Sequence, residues 1–213
     1  MLATSTVLLA SITTAAVAAE APYKVHFDVQ IGTGTSSSFV VEVHPEWSPI
    51  GAARFKELVT AEPSFFTGVR FFRVISGFMA QFGISGSPSV AAEWRVKKIK
   101  DDPKGVKSNG RGYVSFATSG ADSRTTQMFI NFSDNSNLDG MGFTPFARVI
   151  EGMDSCVDKL YSGYGEGGAG DGKDGRGPSQ GRLQSEGNKY LKRTFPKMSY
   201  ITSVRVVSDD AEL

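Results

Sequence analysis

The 213-residue chain carries 23 Lys and Arg against 22 Asp and Glu, a formal net charge of +1, and 40% of its residues are hydrophobic. That length fits one domain behind a removable leader, with enough apolar side chains for a real core. The basic residues are scattered rather than clustered, which excludes an electrostatic footprint for nucleic acid or an anionic membrane surface.

Met1 to Ala19 is apolar, built of small residues and free of charge, and ends in Val17-Ala18-Ala19 before Glu20. This small-x-small ending predicts a signal peptide, residues 1–19, with the mature domain over 20–213. The leader is too short and too rich in Thr and Ala to read as a membrane span, so no membrane partner is expected after its removal. The secretory pathway follows, as secretion or as residence in the ER lumen, because Asp210-Ala211-Glu212-Leu213 resembles a retention tetrapeptide with Ala at an acidic position.

From Tyr23 the apolar residues alternate through Val25, Phe27, Val29 and Ile31, and again at Phe39, Val41 and Val43 after a Gly/Thr turn. The pattern predicts an opening β-hairpin. Ser48-Pro49 supplies an N-cap and a proline at the first helical position, with Ala52, Phe55, Leu58 and Val59 at helical spacing, so a helix is expected over 49–60. Strand-like runs recur at Val69–Ile75, Phe78–Phe82, Tyr113–Ala117, Gln127–Phe132 and Pro145–Ile150. A second helix is expected from Met153 to about Tyr161, and a last strand through Tyr200, Thr202, Val204 and Val206. Between them, about 162–181, Gly mixes with charged residues that cannot bury enough apolar surface, which predicts a Gly-rich flexible surface insertion. Many short strands without a βαβ rhythm predict a mainly β fold, a closed eight-stranded antiparallel β-barrel capped by two helices.

Several chemistries drop out on spacing. His26 and His44 are the only histidines and neither sits in a metal-ligand pattern, so no metal is expected. Gly163 to Gly168 satisfies a dinucleotide pattern, but follows a helix and leads into more glycine, the reverse of the required strand-before, helix-after context. Asp171 to Gly175 lacks the ligand alternation of a calcium loop. The lone Cys156 excludes an intrachain disulfide and reads as a small buried residue. Asn131-Phe132-Ser133 is a glycosylation sequon, but Asn131 closes an apolar strand, where a glycan lacks access.

What remains is Arg73-Val74-Ile75-Ser76-Gly77-Phe78-Met79-Ala80-Gln81, a guanidinium, large apolar side chains and an amide in one strand-turn-strand segment. Met79 and Gln81 share a face by strand alternation, and Gly77 lets the chain bend between them and Arg73. Taken alone, Phe78 and Met79 would be core and Arg73 a surface cation. Two further segments, GYVSFATSG over 112–120 and QMFINFSDNSNLDG over 127–140, follow in order.

Together the three segments resemble the cyclophilin family, with similarity running from about Tyr23 to Val207. Arg73, Phe78, Met79 and Gln81 match its first motif, Ala117 precedes its substrate-binding backbone at Thr118, Gln127 and Phe129 match its Gln-x-Phe pair, and Leu138-Asp139-Gly140 matches a further pocket motif. Phe72, Ser76, Phe82, Ile84 and Asn137 depart from the pattern, Asn137 standing where many members carry tryptophan.

The resemblance implies a peptidyl-prolyl cis-trans isomerase without cofactor, acting as a monomer on proline-containing polypeptides. Arg73 is then the electrophilic residue. Phe78, Met79, Phe129 and Leu138 hold the proline ring, Gln81 and the Thr118 backbone hold the adjacent peptide unit, Gln127 orients Arg73, and Ala117 keeps the groove shallow. It further implies a cyclosporin-binding face, weakened by Asn137. The alternative is a non-catalytic prolyl-peptide-binding or chaperone module on the same fold.

Overall fold

The computed structural model describes residues 20–168, 170 and 176–207. The expected leader, the acidic fragment 171–175 and the C-terminal tetrapeptide lie outside the described residues. The opening hairpin pairs β1 (Tyr23–Ile31) with β2 (Thr35–Val43) residue for residue, from Tyr23 opposite Val43 to Ile31 opposite Thr35. Its alternation sorts the faces: Val25, Phe27 and Val29 are buried, and Phe27 stacks on its cross-strand partner Phe39 with ring centroids 4.8 Å apart.

Helix α1 (Pro49–Val59) starts where Ser48-Pro49 predicts, but Ser48 makes no side-chain cap bond. Its hydroxyl donates instead to Asp102 Oδ2 at 2.5 Å, and Asp102 accepts the Ile50 and Gly51 amides at 2.8 Å each. The helix is thus capped by a carboxylate from a distant loop, which satisfies the orphan N–H groups of the first turn.

The remaining strands are β3 (Arg73–Ile75), β4 (Met79–Phe82), β5 (Tyr113–Phe116), β6 (Met128–Asn131), β7 (Pro145–Glu151) and β8 (Tyr200–Val207). All eight form one antiparallel sheet in the order β3-β4-β6-β5-β7-β2-β1-β8. The ladders end at β3 and β8, and an isolated bridge joins Arg70, ahead of β3, to Tyr200. The sheet is therefore the expected mainly β, eight-stranded antiparallel one. The expected strand over 69–75 is hydrogen-bonded as a strand only from Arg73.

The helices differ from expectation. Met153 to Tyr161 holds only a 3-10 turn, Val157–Lys159, because the Cys156 and Val157 amides both wind back onto the Gly152 carbonyl. Two unexpected helices appear, α2 (Pro88–Arg95) and α3 (Gln180–Thr194). Helix α2 begins with Ser87-Pro88, the same start signal as α1. In α3 the apolar stripe is sparse, Leu183, Tyr190 and Leu191, and a kink at Gly187 (φ 60°) interrupts the period.

Strand alternation then splits the apolar residues between two places. Val74, Ala80, Phe82, Val114, Phe116, Met128 and Ile130 enter the main core with Phe27, Phe55, Phe66 and Phe146. Met79 and Phe129, on the opposite faces of β4 and β6, join Leu138 in a separate cluster flanked by Ile75, Phe78, Ala117 and Phe143. A third cluster, with Phe72, Tyr164, Leu183, Tyr190, Leu191 and Phe195, seats α3 and the start of the Gly-rich insertion.

Candidate functional site

The outer cluster does not fill its space. Arg73, Phe78, Met79, Gln81, Ala117, Thr118, Phe129, Leu138 and Phe143 line an open cavity of about 250 Å³ on the face of the sheet turned away from the main core. Register explains why they meet: Arg73 stands opposite Gln81 on the β3–β4 ladder, and Gln81 opposite Phe129 on β4–β6, so one row crosses three strands. Gly77, at φ 73°, makes the turn between β3 and β4 that brings Phe78 beside the row, with Arg73 over its ring at 5.9 Å.

The polar groups form a chain. Arg73 Nη1 donates to Gln81 Oε1 at 3.2 Å and lies 3.8 Å from Met79 Sδ. Gln81 Nε2 in turn donates to Gln127 Oε1 at 2.9 Å. Gln127 does not line this cavity. It lines a neighbouring one of about 370 Å³ that shares Gln81, Ala117 and Thr118 and carries Arg95 and Lys98 on its far rim. The Thr118 hydroxyl turns into its own loop, donating to the Gly120 carbonyl at 2.5 Å and pairing with Ser123 Oγ at 2.8 Å. Thr118 lines both cavities.

The rim opposite Arg73 depends on Asp139. Its carboxylate accepts Ser108 Oγ at 2.6 Å, the Asn109 amide at 2.9 Å and Asn109 Nδ2 at 2.7 Å, which pins the turn carrying Leu138. Burial alone would raise the Asp139 carboxyl, but these hydrogen bonds outweigh it and hold the group below the usual carboxylate range. Phe143 meets Phe129 edge-on, centroids 5.6 Å apart, and completes the wall. Asn137 is exposed outside it.

Two features were not foreseen. Phe143 follows the Leu138-Asp139-Gly140 motif closely enough that its place after the turn was the only signal. Glu166, from the Gly-rich insertion, takes Arg73 in a two-pronged pair, Nε to Oε1 at 2.5 Å and Nη2 to Oε2 at 2.8 Å. No local pattern in the sequence joins residues so far apart.

Elsewhere the structure places two further residues that the sequence singled out. Asn131 of the sequon is fully buried, its amide donating to the Tyr113 carbonyl at 3.0 Å. Cys156 is buried too, and burial pushes its thiol up. Among the described residues no group of three or more His, Cys, Asp and Glu is placed to hold a metal ion.

Comparison with known proteins bears directly on this pocket. The family model for cyclophilin-type peptidyl-prolyl cis-trans isomerases matches residues 26–175, a span that includes every pocket-lining residue. A peptidyl-prolyl cis-trans isomerase of Acinetobacter baylyi is 35% identical over 125 residues, 56% of this chain. The match spans 64% of that relative's own length.

Proposed function

The chain belongs to the family of cyclophilin-type peptidyl-prolyl cis-trans isomerases, and we propose that it accelerates the isomerisation of X-Pro bonds in other polypeptides, with Arg73 as the catalytic residue. One observation carries the proposal: the Arg73 guanidinium, oriented by Gln81, stands at the rim of an apolar pocket walled by Phe78, Met79, Phe129, Leu138 and Phe143.

Resonance opposes rotation about a peptide bond by about 18–20 kcal/mol, and unassisted X-Pro bonds exchange over roughly tens to hundreds of seconds. No bond is broken, so the task is to stabilise the twisted amide. As the bond twists, the proline nitrogen loses conjugation and becomes an acceptor, and an Arg73 N–H donates to it only then. The pocket holds the proline ring through aromatic and thioether surface, while the backbone at Ala117 and Thr118 holds the neighbouring peptide unit, so rotation occurs about a clamped axis. Because arginine stays charged, no titration near neutrality is required.

Further parts of this reading rest on sequence. The leader 1–19 supports entry to the secretory pathway, as secretion or ER residence, and exposed Asn137 supports weakened cyclosporin binding. The Arg70–Tyr200 bridge supports a sheet rolled into a closed barrel. A protease-coupled isomerisation assay on the mature chain tests the central proposal. Arg73→Ala is expected to lower turnover by about tenfold or more, about 1.4 kcal/mol of barrier, without loss of the fold. Unchanged turnover excludes Arg73 from the chemistry. Peptide binding without any change in exchange rate makes the chain a prolyl-peptide-binding module instead.

A further inference from the structure

The catalytic role given to Arg73 needs free N–H donors, yet the insertion supplies a carboxylate that takes two of them. Glu166 accepts from Nε and Nη2, the outer edge of the guanidinium, while Gln81 accepts from Nη1 on the inner side. Hydrogen bonding to Arg73 is the main cause that holds the Glu166 carboxyl below its usual range, which favours its anionic form.

The contact is built rather than incidental. Tyr164, close before Glu166 in the chain, is buried against Tyr161 and Phe195 and accepts the Lys197 amide at 3.3 Å. The Glu166 carbonyl accepts the Gly177 amide at 2.7 Å, and the Gly168 amide reaches the Pro178 carbonyl at 3.2 Å, so two runs of the insertion lie side by side. Their close approach favours glycine: a Cβ on Gly177 would stand 3.1 Å from the Glu166 carbonyl oxygen and 3.3 Å from Gly167 Cα. The backbone that carries the carboxylate is therefore held by these bonds, while the Glu166 side chain stays 62% exposed against 24% for that of Arg73. An ion pair so open to water is weak enough to exchange.

Orientation of Arg73 is already served from the inner side by Gln81, which Gln127 fixes in turn. What Glu166 adds is occupancy of donors and neutralisation of the positive charge that a twisted amide would use. We propose that Glu166 is an intramolecular competitor for substrate at Arg73, so that a prolyl peptide engages the site by displacing this carboxylate and the Gly-rich insertion sets the site's apparent affinity. The inference rests on the proposed role of Arg73.

The test is NMR titration of the full mature chain with an uncharged proline tetrapeptide blocked at both ends, reading affinity from chemical shifts and turnover from exchange cross-peaks. Glu166→Gln is expected to bind the peptide about two- to fivefold more tightly than wild type. Glu166→Asp, which keeps the charge but shortens the reach, should fall between them. In an Arg73→Ala background the Glu166→Gln gain should vanish, an outcome that a merely structural role of Glu166 does not produce. Equal or weaker binding by Glu166→Gln overturns the inference, as does a gain that persists without Arg73. Peptide that binds every variant but is exchanged by none refutes the isomerase, and the affinity comparison still decides the competitor. Absence of binding to all of them overturns both.

Discussion

Arg73 and Gln81 are direct cross-strand partners on β3 and β4, and their side chains meet, Arg73 Nη1 donating to Gln81 Oε1 at 3.2 Å. Because the Gln81 carbonyl is spent on Arg73, its NH2 turns the other way and reaches Gln127 at 2.9 Å. The amide thus works as a relay that holds the guanidinium at the pocket rim, and Gln81 is buried enough for the geometry to persist.

Gln81→Leu removes the acceptor at nearly constant volume. Loss of one hydrogen bond to a charged group is expected to lower turnover about tenfold, with peptide affinity changed much less. A kcat against KM comparison checks it: a rise confined to KM would mean that Gln81 binds substrate rather than orienting Arg73.

Leu138→Ala acts on the opposite wall. Leu138 is buried against Met79 and Phe129 although it lines the pocket, so truncation enlarges the cavity at its apolar end. Peptide binding is expected to weaken by about five- to thirtyfold, about 1–2 kcal/mol of lost apolar contact, by calorimetric titration. Unaltered affinity would place the proline ring elsewhere.

Asp139→Asn tests what holds that wall. The Asp139 carboxyl lies below its usual range in the folded chain, so its contribution to stability is complete above the ordinary aspartate pKa, about 4, and is lost as pH falls through the lower folded value. The substitution is expected to cost about 1–2 kcal/mol near neutrality, lowering Tm by about 2–8 °C, and to remove that part of the acid sensitivity. Thermal melts across pH check both; parallel wild-type and mutant curves would contradict the assignment.

Gly83→Ala probes the end of β4. Gly83 has φ 99°, and a Cβ there would stand 2.2 Å from the Thr126 carbonyl oxygen, directly before Gln127. The expected loss is about 3 kcal/mol or more, or about 6–12 °C in Tm, with turnover falling as the Gln81–Gln127 contact shifts. Chemical denaturation measures it, and a variant as stable as wild type would rule out the clash.

Much of the site was legible in the chain because strand period is local. Alternation in 79–82 and 127–132 separates Met79, Gln81 and Phe129 from Ala80, Phe82 and Ile130, and the structure puts the first set at the pocket and the second in the core. The opening hairpin and α1 were legible for the same reason. Helix α2 carried a readable start at Ser87-Pro88 that went unused, whereas the kink at Gly187 dilutes the helical period of α3 below recognition.

Contacts between distant segments were not legible. Asp102 capping α1, Asp139 pinning Leu138 through Asn109, Phe143 closing on Phe129 and Glu166 pairing with Arg73 each join chain segments through tertiary approach. By itself the sequence determined the strands and the faces their side chains take, since these depend on neighbours along the chain. The grouping of three separated segments into one pocket was implied only by their resemblance to the cyclophilin family. Only the tertiary structure decided that Arg73 carries a carboxylate on its outer edge, because ion pairing depends on where the folded backbone delivers charge and not on the order in which residues are joined.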